Sequence, residues 1–341
     1  MSGTSTDALD LCWVQSSELL SQSIPQFERA SVPYSPEWKF RIEKAHELNG
    51  LDLMLLHRDY AEWVAETVRK LQNKNGLIAE AIGFHGPTVF HQPQRKLSLQ
   101  LGSPEVLSRM LGIPVVADFR TPDLELGGRG APLVPFGDRF LFGEYDACLN
   151  LGGFANGSEE IDGARVASDL CACNYVLDRL ARMKGLAYDD RGTLAASGER
   201  IHSWVERWNA LPFLQKQTPI ALSREDIESH LEDVLQLDDI ENALHSYGVH
   251  IAQMCARRIQ SRGRILVTGG GTYNDFLIEQ LRKAMAPAEI VVPSTALIEG
   301  KEALIFALLA HQKLRGEVNV LSSATGACED HSTGWIYHSK P

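Results

Sequence analysis

Positive charge is scarce in this chain: 33 lysines and arginines face 44 aspartates and glutamates, a net charge of -11. That balance excludes a nucleic-acid backbone or an anionic membrane surface as the main partner, while leaving room for a local basic pocket around a phosphate. Long apolar runs are missing too. No stretch approaches the roughly 20 residues that span a bilayer, and the start lacks the basic segment and apolar core of a secretory signal, so the cytoplasm is the expected compartment. Cysteine is sparse, at positions 12, 148, 171, 173, 255 and 328. These spacings follow no disulfide framework, and Cys171-Ala172-Cys173 lacks a second ligand pair for zinc, so reduced thiols are expected. Neither a P-loop nor a Gly-x-Gly-x-x-Gly dinucleotide turn occurs.

What is present reads as a soluble α/β protein. The 341 residues exceed what one core usually serves, so two domains are expected, and 44% hydrophobic with 23% charged residues is ordinary for a globular chain. Helical spacing is clearest over 237–262, where Ile240, Leu244, Tyr247, Ile251, Met254 and Ile259 recur on one face. The short apolar runs IPVVADF (113–119), ACLNLGG (147–153) and RILVTGGG (264–271) predict buried strands. Within 121–135, TPDLELGGRGAPLVP, glycines and prolines interrupt the periodicity and suggest a crossover between lobes. Trp38, Trp63 and Trp204 sit in helical patterns and are expected to pack rather than to bind ligand.

The opening residues, MSGTSTDALDLCWV, pass from small, hydroxylated and acidic directly into an apolar run. Gly3, Thr4, Ser5 and Asp7 make a turn suited to an anion, though the same residues could be an ordinary chain terminus. Two further glycine-rich turns adjoin strand-like runs: LNLGGFANGS (149–158) and LVTGGGTYND (266–275). Turns of this kind expose backbone N–H groups that bind anions, although Gly-Gly also serves plain hairpins.

Six ordered motifs, GTSTD, GFHGPTVFHQP (83–93), ADFRTPDLELGGRGAPLVPFGD (117–138), LNLGGFAN, LVTGGGTYN and KEALIFA (301–307), together resemble the anhydro-N-acetylmuramic acid kinases. The resemblance runs from Met1 to about Gly326. It implies the two-lobed fold of the actin, hexokinase and heat-shock chaperone ATPases, each lobe an RNase H-like sheet flanked by helices. It implies a first lobe of 1–125 plus about 315–341 and a second of 126–314, with the three glycine turns lining the cleft. The implied reaction opens the 1,6-anhydro bridge of an amino sugar with water while the γ-phosphate of ATP passes to the 6-oxygen. ATP and the sugar are then the small-molecule partners, Mg²⁺ the metal, and a homodimer is compatible.

Site residues carry over one by one. In ASDLCACN (167–174), Asp169 matches the family's general base. Ser168 and Ala172 depart from the pattern, standing for an aromatic and a proline, and the lost proline constraint is expected to loosen a loop there. Glu302 in KEALIFA matches a carboxylate directed at the sugar and the attacking water; Glu299 lies three residues away, close enough to be confused with it. His85, Thr88 and Arg120 match sugar-side positions, the guanidinium suiting the lactyl carboxylate. Gly3, Thr4, Ser5, Asp7, Gly152, Gly153, Asn156, Gly269, Gly270, Gly271 and Asn274 match the nucleotide side, with Asp7 meeting magnesium through water. Gly127, Gly128 and Gly130 look like a hinge or substrate-side turn at the lobe junction.

The resemblance also leads one to expect residues before Met-Ser-Gly, so either the chain starts at an internal methionine or the first sheet's edge is shortened. Another sugar or acyl kinase of the same superfamily, or a relative that binds without turnover, remain as competing readings, because fold alone does not separate them.

Overall fold

The computed structural model describes residues 1–2, 7–217, 219–222, 224–235 and 237–339. Gly3, Thr4 and Ser5, assigned from sequence to the first phosphate turn, lie outside the described residues. The chain divides into two compact units, Met1–Phe142 with Gly300–Pro341, and Gly143–Glu299. Residues 126–142 and 300–314 therefore belong to the first unit, where the sequence reading gives them to the other lobe. The reason is packing that sequence spacing does not reveal. Lys301 and Asp138 form a buried ion pair at 2.7 Å, and Gly137 leaves room for Ile305, which a Cβ there would approach to 2.5 Å. The Gly/Pro-rich stretch 121–135 is likewise internal to this unit rather than a crossover.

In the first unit, β1 (Ala8–Val14) pairs antiparallel with β2 (Phe27–Pro33), with Ala8 opposite Pro33. β3 (Ile82–Gly83) runs parallel to β6 (Val115–Ala117), which also pairs with β12 (Trp335–Tyr337), while β4 (Thr88–Gln92) and β5 (Leu97–Gln100) form a hairpin. Of the run 113–119, only the buried centre is strand. The long helix Gly50–Asn75 begins where the Asn49 side chain accepts from the Leu51 and Asp52 N–H groups, and it ends at Gly76 with φ 66°. Its face carries Leu56, Tyr60, Val64 and Val68 into a core shared with Leu9, Phe84, Leu101 and Val115. Trp38 and Trp63 join Tyr34 and Tyr60 in an aromatic cluster with centroids 5.4–6.2 Å apart, packing as their helical spacing predicts.

The second unit is built on one five-stranded sheet, ordered β11-β10-β7-β8-β9. β7 (Ala147–Leu151), β8 (Phe154–Ile161) and β9 (Ala164–Ala172) form an antiparallel meander; β10 (Arg264–Thr268) and β11 (Glu289–Val291) extend it in parallel. This is the RNase H-like layout that the resemblance implies. Helix Ile240–Arg258 starts with the Asp239 side chain accepting from Asn242 and buries Leu244, Tyr247, Ile251 and Met254, the face that periodicity marks out. Trp204 lies beside Trp208 at the edge of this core. Among the described residues no cysteine is in a disulfide, and no helix is long and apolar enough to cross a membrane.

Close backbone approaches fix the segment that carries His85 and Thr88. Gly86 lies so near the Leu101 carbonyl that a methyl group would collide with backbone, and the Leu101 N–H donates to Pro87 at 2.8 Å. Gly86→Ala should therefore destabilise the fold by about 1–3 kcal/mol, the usual cost of overpacking where no side chain can move aside. Urea unfolding measures it, and an unchanged midpoint would contradict the close approach.

Candidate active site

The second unit brings two of the glycine-rich turns together. Gly152 and Gly153 form the two-residue turn between β7 and β8, and their carbonyls accept from Asn174, Cys173 and Tyr175 N–H groups at 2.8–3.1 Å, seating the helix Asn174–Met183. The turn Gly269-Gly270-Gly271 follows β10 beside them. Gly269 has φ 87°, and a Cβ on it would lie 2.5 Å from Asn150 Oδ1 and 2.8 Å from the Leu151 backbone. Asn174 bridges the two turns, donating from Nδ2 to the Leu151 carbonyl at 2.9 Å, with Oδ1 3.3 Å from where a Gly271 Cβ would sit. Above Gly153 and Gly270 the backbone is bare: a Cβ would meet nothing nearer than 4.0 and 3.7 Å, respectively. That leaves open space over one residue of each turn.

Asp169 lies on β9, on the same sheet. Register places Thr268, Asn150, Asn156 and Asp169 directly opposite one another across β10, β7, β8 and β9, so they form one row on one face. A bulge at Leu170, between the Ala155–Cys171 and Asn156–Asp169 pairs, adjusts β9 at this row. The three amide and carboxylate members are partly open where their strand neighbours are mostly buried. The Asp169 carboxylate accepts the Leu222 N–H at 2.8 Å. Burial raises its proton affinity above that of an ordinary aspartate, and the Leu222 hydrogen bond partly offsets the shift.

The loosened loop expected around Ala172 does not occur, because that residue ends β9 and only Cys173 follows before the helix. Ser168 instead binds the neighbouring segment, its Oγ accepting the Ile220 N–H at 2.9 Å while the Asp169 N–H donates to the Ile220 carbonyl at 3.0 Å. Asn274 spends its side-chain oxygen capping the helix Asp275–Ala284, accepting from Leu277 at 2.9 Å. Glu299 accepts from the Tyr273 hydroxyl at 2.7 Å in this unit, which separates it from Glu302 in the other.

The first unit holds His85, Thr88, Arg120 and Glu302, the residues that the sequence resemblance matches to sugar positions. His85 is buried and stacked on Phe306, centroids 4.3 Å apart, and Phe306 lies one helical turn beyond Glu302 on the same helix. Arg120 Nη2 is 3.4 Å from His85 Nε2, and Nη1 donates to the Gly130 carbonyl at 2.8 Å. A guanidinium has only donors, so Nε2 accepts and the His85 proton sits on Nδ1. Burial, with the Arg120 charge as the next cause, holds the imidazole well below its usual pKa and hence neutral. Among the described residues, His85 Nδ1 and Arg120 Nε are buried without a hydrogen-bond partner, which leaves both donors free for a further group. Glu302 keeps solvent-exposed surface yet its carboxyl is raised, with burial the largest cause and Arg120 among the groups drawing it down. Thr88 opens β4 at an exposed position, its Oγ1 3.5 Å from Gln100 Nε2. Asp7 is exposed and pairs with Lys39 at 3.0 Å.

Sequence reasoning passes over Asn150, Asn174 and Thr268, which register and turn packing bring to the site. Gly127, Gly128 and Gly130 belong to the first unit, with Gly128 and Gly130 wrapped on Asp123.

Comparison with known proteins gives the family. A model of the family described as anhydro-N-acetylmuramic acid kinase matches residues 1–339. The anhydro-N-acetylmuramic acid kinase of Gluconobacter oxydans is 34% identical over 96% of this chain and 95% of its own length. That of Sulfurovum sp. is 32% identical over 99% and 97%, and that of Acinetobacter baylyi 32% over 81% and 82%. With the match running essentially end to end, the chain belongs to the anhydro-N-acetylmuramic acid kinase family.

Proposed function

We infer that this chain uses ATP to open and phosphorylate 1,6-anhydro-N-acetylmuramic acid, with Asp169 as the general base. The buried Arg120 Nε and His85 Nδ1, which have no hydrogen-bond partner among the described residues, carry the reading beside the Glu302 helix, since they suit an oxygen-rich sugar bearing a carboxylate. Asp169 removes a proton from water as the water oxygen bonds to carbon 1 and the bond from carbon 1 to the 6-oxygen breaks. The freed 6-oxygen takes the γ-phosphoryl group as its bond to ADP breaks. Asp169's raised proton affinity suits a base that gains this proton.

Arg120 holds the lactyl carboxylate, neutral His85 donates from Nδ1 to a sugar oxygen, and Thr88 and Glu302 complete the sugar's polar contacts. The two glycine turns, open at Gly153 and Gly270, receive the nucleotide phosphates, and Asn156 orients groups beside Asp169. Magnesium neutralises phosphate charge when bound, and the exposed Asp7 carboxylate suits contact with it through water.

ADP release measured with and without the sugar tests the reading. ADP formation that depends on 1,6-anhydro-N-acetylmuramic acid is expected; release indifferent to it would favour the relative that binds without sugar turnover. At the phosphate side, Gly269→Ala forces a left-handed position and pushes on Asn150, so the KM for ATP should rise about tenfold or more while the KM for sugar holds. An unchanged ATP KM would remove this turn from the nucleotide site.

A further inference from the structure

Arg120 is held by a carbonyl, and that carbonyl is itself held from the far end of the chain. Gly130, whose oxygen accepts the Arg120 guanidinium at 2.8 Å, donates its N–H to Asp123 Oδ2 at 2.6 Å. Asp123 is fully buried, and its other oxygen accepts the Thr325 hydroxyl at 2.6 Å, with His331 Nε2 3.5 Å away. The turn is wrapped tightly on this carboxylate. The Gly128 N–H donates to the Asp123 carbonyl at 2.9 Å, and a Cβ on Gly128 would fall well inside contact distance of the carboxylate. The segment around Thr325 grips the same turn independently, since Arg129 donates its N–H to the Thr325 carbonyl at 3.0 Å and its Nη2 to Ala324 at 2.9 Å.

We propose that Asp123 and Thr325 are positioning residues for the sugar carboxylate: they lock the 127–130 turn so that the Gly130 carbonyl aims the Arg120 guanidinium beside His85. This rests on the reading that Arg120 binds the sugar. A buried carboxylate needs hydrogen-bond donors, and the turn N–H and the Thr325 hydroxyl supply them. Removing the hydroxyl leaves one carboxylate oxygen short of a donor, and the turn that carries the Gly130 carbonyl loses its fixed position. Arg120 then samples more orientations and binds the sugar less well, while the nucleotide side is unaffected.

The test measures steady-state kinetics of Thr325→Val, Thr325→Ser, Gly128→Ala and Arg120→Ala, with Thr325→Val also made in the Arg120→Ala background. Thr325→Val should raise the KM for sugar about 5- to 10-fold, the worth of one hydrogen bond, with kcat and the KM for ATP within twofold. Thr325→Ser, which keeps the hydroxyl, should restore wild-type values, and Gly128→Ala should reproduce the valine effect by displacing the carboxylate from the other side. In the Arg120→Ala background Thr325→Val should add nothing to the sugar KM, because the relay ends on the missing guanidinium. A merely structural role would lower the melting temperature while leaving the sugar KM of the folded enzyme unchanged, and that result overturns the proposal. So does a Thr325→Val effect that persists undiminished without Arg120. If Arg120→Ala itself leaves the sugar KM unchanged, the assignment of Arg120 fails and takes the relay with it, a pattern distinct from failure of the relay alone.

Discussion

Asp169→Asn should lower turnover by about 10² to 10⁴, the range for losing a general base, with ATP affinity little changed. The amide keeps the side chain's size and a carbonyl oxygen for the Leu222 N–H, but it takes no proton at neutral pH. The same substitution should raise the melting temperature. Burial raises the folded-state proton affinity of this carboxyl above its unfolded value of 3.8, so the ionised form is a cost to the fold. That cost is absent below the unfolded value and sets in as pH rises through the raised folded one. The asparagine variant should thus melt above wild type at neutral pH, with the gap closing as pH falls toward 3.8. Activity has the opposite dependence, falling on the acid side as Asp169 takes up its proton. Asp162→Asn is the control: Asp162 has φ 52° in the β8–β9 turn, a conformation asparagine tolerates well. A turnover in Asp169→Asn equal to wild type would remove Asp169 as the base and make Glu302 the next candidate.

Arg120→Ala should raise the KM for the sugar about 10- to 100-fold, since hydrogen bonds to a charged partner are worth roughly 1.5–3 kcal/mol. The KM for ATP should stay near wild type. Arg120→Lys should rescue little, because an ammonium cannot reproduce the planar fork that reaches the Gly130 carbonyl, His85 and a ligand at once. Comparison with a sugar lacking the lactyl group identifies the contact: the penalty of Arg120→Ala should largely vanish with that substrate. A penalty of equal size on both sugars would place Arg120 away from the carboxylate.

Local patterns were legible from the sequence. Spacing marks the buried face of the helix Ile240–Arg258, and the runs around Val115, Leu149 and Leu266 mark the strands, although each strand is shorter than its apolar run. The glycine turns are visible as motifs, but the row Thr268-Asn150-Asn156-Asp169 is not, because it exists only once β10, β7, β8 and β9 are in register. The unit boundary escapes for a similar reason. Glycines and prolines at 121–135 signal a break in periodicity, and the break is a turn folded on Asp123 by a threonine some 200 positions away, a contact that leaves no local trace. Asn274 shows the converse: its place after a glycine turn suggests a ligand, but the helix that follows takes its oxygen as a cap.

Incubating the wild-type chain with ATP, magnesium and 1,6-anhydro-N-acetylmuramic acid, and following the sugar by mass spectrometry, tests the central claim most directly. The account predicts a product heavier than the substrate by one water and one phosphoryl group, formed one for one with ADP. A phosphorylated sugar that keeps its anhydro ring, or ADP without any phosphorylated sugar, would contradict it.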